Sequence, residues 1–147
     1  QTNALLAGCA AQGIPVVRFT ITYNLSESAG LIGDAFAANP DANAIVTLGP
    51  GPAESFYAYA SENNVTPDQV IHATFDTSPA IFAAIADGRS LLCVDQQPYV
   101  QGFETVVWLF LGSQYLLKPA NDIFTGPNIV DASNVDRVIE LNQAGYR

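Results

Sequence analysis

The chain of 147 residues is long enough to bury the hydrophobic core of one domain. Hydrophobic residues make up 49% of it and charged residues 13%, which argues against intrinsic disorder. Its 14 acidic and 5 basic residues give a net charge of −9, so nucleic acid and anionic membranes are poor partners for its surface. No apolar stretch reaches the roughly 18–20 residues of a membrane span.

Helical and strand patterns alternate along the first two thirds of the chain. Apolar periodicity and end signals predict helices over residues 2–12, 27–38, 53–62 and 79–87. Short β-favouring runs predict strands over residues 14–19, 44–48, 70–75 and 91–95. This alternation predicts an α/β fold in which helices cover both faces of a parallel, Rossmann-like sheet.

The local signals at two helix starts are polar or glycine-rich. Ser26 is a candidate N-cap for the helix over residues 27–38. Gly49-Pro50-Gly51-Pro52 predicts a turn between the second strand and the helix over residues 53–62. This turn lacks the Lys-Ser/Thr pair of a nucleotide P-loop, so it does not indicate a phosphate site.

The pattern changes after Pro98. Residues 99–117 predict a long helix that carries Trp108, the only tryptophan. Residues 122–130 predict an extended run broken by Gly126-Pro127, and residues 133–143 predict a last helix.

Asp76 and Gln96 each follow a predicted strand. Because the carboxyl ends of parallel strands open on one edge of a sheet, we expect the two side chains to lie side by side there. A carboxylate and a carboxamide together accept from and donate to hydroxyl groups. Two structural alternatives stand beside this interpretation: Asp76 as the cap of the helix after Thr77-Ser78-Pro79, and Gln96 as a residue that bonds only backbone.

The sequence offers no constellation for catalysis or for a metal. His72 is the only histidine, and within an apolar strand it is expected to be a core residue. No Ser-His-Asp set or nucleophile elbow occurs, so neither a catalytic site nor a cofactor is predicted. Cys9 and Cys93 are either free thiols or a disulfide.

Three short sequence features in the middle of the chain occur in an order and spacing typical of a known family. Phe75-Asp76 ends a predicted strand, Ala86-Asp87-Gly88 ends the next helix, and Gln96-Gln97-Pro98-Tyr99 is followed by Gly102. In this order and spacing they resemble the second lobe of type I periplasmic sugar-binding proteins, the ribose- and galactose-binding receptors of ABC importers. The resemblance implies a bacterial periplasmic protein, not an enzyme, that captures a sugar or polyol between two lobes and delivers it to a membrane permease.

The resemblance also implies ligand-binding roles for particular residues. It places Asp76 and Gln96 in contact with the ligand, and it places Tyr23 where an aromatic ring stacks on the sugar. Tyr23 is otherwise an ordinary core or surface tyrosine. Asn24 is a lesser candidate, and Asn3 is the nearest polar residue to an arginine that the family carries upstream.

Gly49 marks a departure from the family, which usually has an Asn-Asp pair at this turn. A ligand at this position would meet backbone groups of Gly49 rather than a side-chain amide, which puts ribose and galactose in doubt. Gln97 and Pro98 are implied to form the hinge crossing between the lobes.

The resemblance further implies how the chain is divided. Residues 1–96 correspond to an incomplete second lobe, residues 97–130 return to the first lobe, and residues 131–147 place a helix near the hinge. The rest of the receptor, N-terminal to this chain, would be a partner that covers Trp108 and Phe110. The alternative is the sugar-sensing effector domain of a LacI-type repressor, which shares the fold and would follow a DNA-binding helix-turn-helix.

Overall fold

A computed structural model describes residues 2–147, which form six helices and four strands. The helices are α1 (Thr2–Ala11), α2 (Leu25–Ala38), α3 (Pro50–Asn63), α4 (Pro79–Ala86), α5 (Pro98–Tyr115) and α6 (Val135–Gln143). The strands are β1 (Ala44–Thr47), β2 (Ile71–Phe75), β3 (Leu92–Asp95) and β4 (Asn128–Asp131). The α/β class predicted from the alternating pattern is confirmed.

The four strands form one sheet in the order β1-β2-β3-β4. The β1–β2 and β2–β3 pairs are parallel, whereas β4 runs antiparallel to β3. Phe75 is paired with Val94, so β2 and β3 end side by side at the same edge. The parallel part of the sheet is therefore the part that places Asp76 beside Gln96.

The strand predicted over residues 14–19 is wrong. Ile14, Val16, Val17 and Phe19 have exposed side chains, and the segment belongs to no strand. A β-favouring sequence forms a strand only where a neighbouring backbone supplies ladder hydrogen bonds, and within residues 2–147 the sheet partner of β1 is β2 alone. The fourth strand is instead β4, which occupies the second half of the extended run predicted over residues 122–130.

One face of the sheet carries the core. Thr47, Thr74, Cys93 and Val130 are aligned across the four strands and are buried, and the buried pair of Ile45 and His72 lies on the same face. Side chains of α3, α4 and α6 pack against this face, and α2 packs on α3. On the opposite face, Val46, Ile71 and Ile129 remain exposed.

His72 lies at the centre of a buried chain of hydrogen bonds. Its Nδ1 lies 2.7 Å from Ser90 Oγ and its Nε2 lies 2.9 Å from Thr47 Oγ1. Thr47 Oγ1 in turn donates to Thr74 Oγ1 over 2.8 Å, so Thr47 has to accept from His72 and the imidazole carries its proton on Nε2. Burial lowers the pKa of His72 to about 4, which keeps the ring neutral. The expectation that His72 is a core residue is confirmed.

Several boundaries differ from those predicted by one to three residues. Pro50 and Pro52 belong to the first turn of α3 rather than to a preceding turn, because proline fits positions that need no amide donor. The cap of α2 is Asn24, whose Oδ1 accepts from Glu27 N over 3.0 Å, and Ser26 lies inside the helix.

Cys9 and Cys93 are both free thiols, which excludes the disulfide. No helix within residues 2–147 has both the length and the hydropathy needed to cross a bilayer.

Candidate functional site

Asp76 and Gln96 are in direct contact at the carboxyl ends of β2 and β3. Gln96 Nε2 donates a hydrogen bond to Asp76 Oδ1, and the Asp76 backbone amide donates to Val94 O over 2.9 Å. Asp76 has a positive φ of 63°, a backbone conformation that non-glycine residues seldom adopt. The juxtaposition expected from the parallel strands is present, and the turn conformation aims the carboxylate along the sheet edge towards Gln96.

The structure decides against the alternative role of Asp76 as a helix cap. The cap of α4 is Ser78, whose Oγ accepts from Ile81 N over 3.2 Å. Pro79 occupies the first position of that helix and donates no amide hydrogen. The Asp76 carboxylate is therefore not needed to begin α4, and its recorded side-chain hydrogen bond comes from Gln96.

Gly49 forms the neighbouring wall of the same edge. It is buried at a φ of +124°, and a Cβ built on it would lie 3.8 Å from Asp76 Oδ2. The amide of Ala53 donates back to Gly49 O over 3.1 Å, while Pro50 and Pro52 have no amide hydrogen. This wall is therefore built from backbone rather than from side chains, and it lies close to the Asp76 carboxylate.

Gln97 and Pro98 lie where the chain leaves the sheet. Gln97 is left-handed (φ 58°) and precedes Pro98, the first residue of α5. The Gln97 side chain donates to Thr125 O over 2.5 Å. Gln96 O accepts from Gln101 Nε2 over 2.8 Å and from Thr125 Oγ1 over 3.0 Å. The residues between β3 and α5 are thus tied both to α5 and to the segment that leads into β4.

The other predicted ligand-binding residues are not joined to this cluster. Tyr23 is fully exposed, and Asn3 lies exposed on α1, which buries no residue. Asn24 uses its side-chain oxygen to cap α2. No hydrogen bond in the described part of the chain connects any of the three to Asp76 or Gln96, so for them a ligand role remains a prediction.

A buried carboxylate that is not among the predicted site residues lies next to the site. Asp95 is the last residue of β3 and lies beneath Gln96, where its side chain pairs with Arg147 over 2.5 Å. The alternation of side chains along β3 does indicate that Asp95 is buried, because Asp95 lies on the same inward face as Cys93. Nothing in the spacing indicated Arg147, which lies 52 residues further along the chain.

The side chains at this edge are suited to the recognition of hydroxyl groups. A carboxylate accepts hydrogen bonds from hydroxyl groups, and charge-assisted bonds of this kind contribute about 1.5–3 kcal/mol each. The amide of Gln96 both donates and accepts, and it already aligns the carboxylate. Within residues 2–147, no three His, Cys, Asp or Glu side chains are grouped as a metal ion would require.

Sequence comparison finds a similar protein among sugar receptors. No protein-family model matches the chain. It is 27% identical over 117 residues to the xylose/arabinose-binding protein XylF of Sulfolobus acidocaldarius. The aligned region covers 76% of this chain and 29% of XylF.

Structure comparison gives the same picture. A carbohydrate transporter from Acidothermus cellulolyticus 11B, solved with myo-inositol, superposes with a TM-score of 0.73 at 28% identity, covering 84% of this chain and 43% of that one. A periplasmic ribose ABC transporter from Conexibacter woesei superposes with a TM-score of 0.82 at 23% identity, covering 95% and 47% respectively. A putative LacI transcriptional regulator from Bacteroides fragilis shares the fold at a TM-score of 0.66 and 17% identity, covering 76% and 37%. The chain resembles type I periplasmic sugar-binding proteins, and it spans less than half the length of these relatives.

Proposed function

We propose that this chain is the C-terminal portion, including most of the second lobe, of a solute-binding receptor that captures a sugar or polyol for an ABC importer. The contact of Gln96 with Asp76, beside the backbone wall at Gly49, is the observation that carries the proposal. It is an aligned acceptor at the edge where ligands bind in open α/β sheets. The ligand would be rich in hydroxyl groups, because the contact offers one carboxylate and one amide, which together accept from and donate to hydroxyl groups.

The similar proteins support this proposal but do not agree on one ligand. One is a xylose/arabinose-binding protein, one was solved with myo-inositol and one is a ribose transporter, and these compounds all carry several hydroxyl groups. They are binding and transport proteins rather than enzymes. Since the wall at Gly49 lacks the side-chain amide usual in ribose receptors, we do not assign one sugar among them.

The long helix α5 supports the proposal that a first lobe covers part of this surface. None of its residues is buried, and Phe103, Val106, Leu109 and Phe110 are among its exposed side chains. Trp108 and Leu109 line an open groove of about 620 Å³ between α5 and residues 119–125. Neighbouring exposed apolar side chains of this kind are typical of a surface that another part of a protein covers.

The exposed face of α5 supports the proposed division of the chain. Residues 1–96 belong to an incomplete second lobe, residues 97–130 return to the first lobe, and residues 131–147 lie near the hinge. Gln97 and Pro98 are the proposed hinge between them. Hinge closure on the ligand, in the periplasm, would create the form that the permease accepts.

The second candidate is the sugar-sensing domain of a LacI-type regulator, which the shared fold favours. The two functions predict different sequences upstream of this chain. A receptor requires a secretion signal and a first lobe, whereas a regulator requires a helix-turn-helix with a basic surface. The encoded sequence upstream therefore distinguishes them.

Binding measurements on the full-length product of the encoding gene test the proposal. Calorimetry with myo-inositol, D-ribose, D-xylose and L-arabinose should identify at least one ligand, and Asp76→Ala should weaken its binding at least tenfold. Ser78→Ala is the matched control, because it removes the α4 cap two residues away and should leave affinity unchanged. Equal affinity of the wild type and Asp76→Ala would reject the site.

A further inference from the structure

The carboxylate of Asp95 is buried and uses its two oxygens for different partners. Only 3% of the side chain is exposed. Its Oδ1 accepts from the Gln97 backbone amide over 2.8 Å, and its Oδ2 lies 2.5 Å from Arg147 Nη2. Asp95 thus connects the residue that begins α5 to the far end of the sequence.

Arg147 is held in place for this contact by the residues around it. Its backbone carbonyl accepts from Asn142 Nδ2 over 2.7 Å, which ties it to α6. The neighbouring Tyr146 packs its ring edge-on against Tyr99 of α5, with the ring centres 6.1 Å apart. The Arg147 side chain is 22% exposed and therefore partly shielded from water, and the carboxylate that it neutralises is shielded more fully.

The backbone that Asp95 holds is in an unfavourable conformation. Gln97 is left-handed (φ 58°, ψ 60°), and a non-glycine residue persists there only when its surroundings fix it. The Asp95 carboxylate fixes its amide, and Thr125 O fixes its side chain. Gly126 packs so closely that a Cβ there would lie 3.2 Å from Asp95 O. Gln96 lies between Asp95 and Gln97, so the direction of the Gln96 side chain depends on how these two residues are held.

We propose that Arg147 is a positioning residue for the binding edge: by pairing with Asp95 it holds the Gln97 backbone and thereby keeps the Gln96 amide against Asp76. An unpaired buried carboxylate would draw in water or move towards solvent, and the Gln97 amide would lose its acceptor. The importance of this position for ligand binding rests on the proposed function. The positioning itself does not, because it is measurable without ligand.

Four variants of the 147-residue chain test the proposal by amide hydrogen exchange and by NMR of the Gln96 side-chain amide. Arg147→Gln removes the charge on one side, and Arg147→Lys restores it. Asp95→Asn removes the charge on the other side while keeping an oxygen to accept from Gln97. The double variant Asp95→Asn/Arg147→Gln is neutral and is the form least affected by a buried charge.

We expect Arg147→Gln to speed exchange of the Gln97 amide at least tenfold and to shift the Gln96 side-chain signals. Arg147→Lys should recover most of the protection. In the Asp95→Asn background, Arg147→Gln should change the Gln97 rate less than twofold. The amide of Cys93 in β3 serves as the reference for general loosening.

Three results would overturn the proposal. The first is an unchanged Gln97 rate in Arg147→Gln, and the second is an equal increase at Gln97 and Cys93, which indicates a general loss of stability. The third is the same effect of Arg147→Gln with and without Asp95→Asn. If Arg147→Gln fails to fold, the comparison of Asp95→Asn with the double variant, together with Arg147→Lys, still gives the answer. Failure to bind any sugar would reject the proposed function but not this one.

Discussion

The Gln96 side-chain amide donates a hydrogen bond to the Asp76 carboxylate, although the two residues lie 20 positions apart. The contact exists because β2 and β3 are parallel neighbours that end together. It aligns the carboxylate before any ligand arrives, so less conformational freedom is lost on binding. It also makes the stability of this edge sensitive to any charge introduced at position 96.

We therefore predict that Gln96→Glu destabilises the chain in a pH-dependent way. A second carboxylate against Asp76 introduces like-charge repulsion of about 1 kcal/mol at pH 7, which protonation relieves near pH 4. The midpoint temperature of thermal unfolding should be lower for Gln96→Glu than for Gln96→Ala at pH 7, and the two midpoints should approach each other at pH 4. Identical midpoints for the two variants at pH 7 would show that the side chains separate freely.

The backbone at Gly49 gives a second prediction. Its φ of +124° is strained for any residue with a Cβ, and that Cβ would point towards Asp76 Oδ2. We expect Gly49→Ala to lower the free energy of unfolding by about 1–3 kcal/mol. Gly51→Ala is the matched control, since Gly51 lies in the first turn of α3 with open space around its Cβ position. There alanine should be neutral or stabilising. Equal losses at both positions in chemical denaturation would contradict the argument.

The predictable part of the fold is the part governed by local patterns. The helices that became α2, α3 and α4, and the strands that became β1, β2 and β3, have end signals in the sequence itself. Once those strands are parallel, the meeting of Asp76 and Gln96 follows from geometry. The juxtaposition of Asp76 and Gln96 at the candidate site could therefore be predicted from the sequence.

The remainder depends on contacts that no local pattern reveals. Residues 14–19 have the composition of a strand but pair with no strand of the described residues 2–147, and β4 forms from a short run because β3 offers it an edge. The pairing of Asp95 with Arg147 joins residues 52 positions apart. Asn24 rather than Ser26 caps α2, and because both residue types are favoured N-caps the local sequence does not distinguish them.

A third prediction concerns His72 and acidic pH. Burial lowers its pKa from 6.5 to about 4, so the unfolded chain binds a proton in a range where the folded chain does not. The stability due to the neutral ring is complete above pH 6.5 and is lost as the pH falls towards 4. Between pH 7 and 5, this loss amounts to about 2 kcal/mol.

Urea unfolding at pH 7 and pH 5 measures this loss. His72→Gln removes the titrating group while its amide can still meet Ser90 and Thr47, so it serves as the control. We expect the wild type to lose about 2 kcal/mol more than His72→Gln over this range. A parallel decline in the two proteins would assign the pH dependence to other groups.

The last prediction concerns α5 and the proposed first lobe. Leu109 is 67% exposed in this chain, so Leu109→Ala should change its free energy of unfolding by less than about 0.5 kcal/mol. In the full-length gene product, the same side chain should be buried against the first lobe, and its truncation should cost about 2–5 kcal/mol. Ile85→Ala, at a side chain buried in the core here, should cost about 2–5 kcal/mol in both proteins.

Denaturant unfolding of the three sequences in both lengths provides the comparison. A neutral Leu109→Ala in the longer protein would mean that this face of α5 stays open to solvent. The proposed division of the chain would then be wrong, because residues 97–130 would have no first lobe to contact. A large effect confined to the longer protein would place the interface on α5, since Ile85→Ala reports the stability of the second lobe in both.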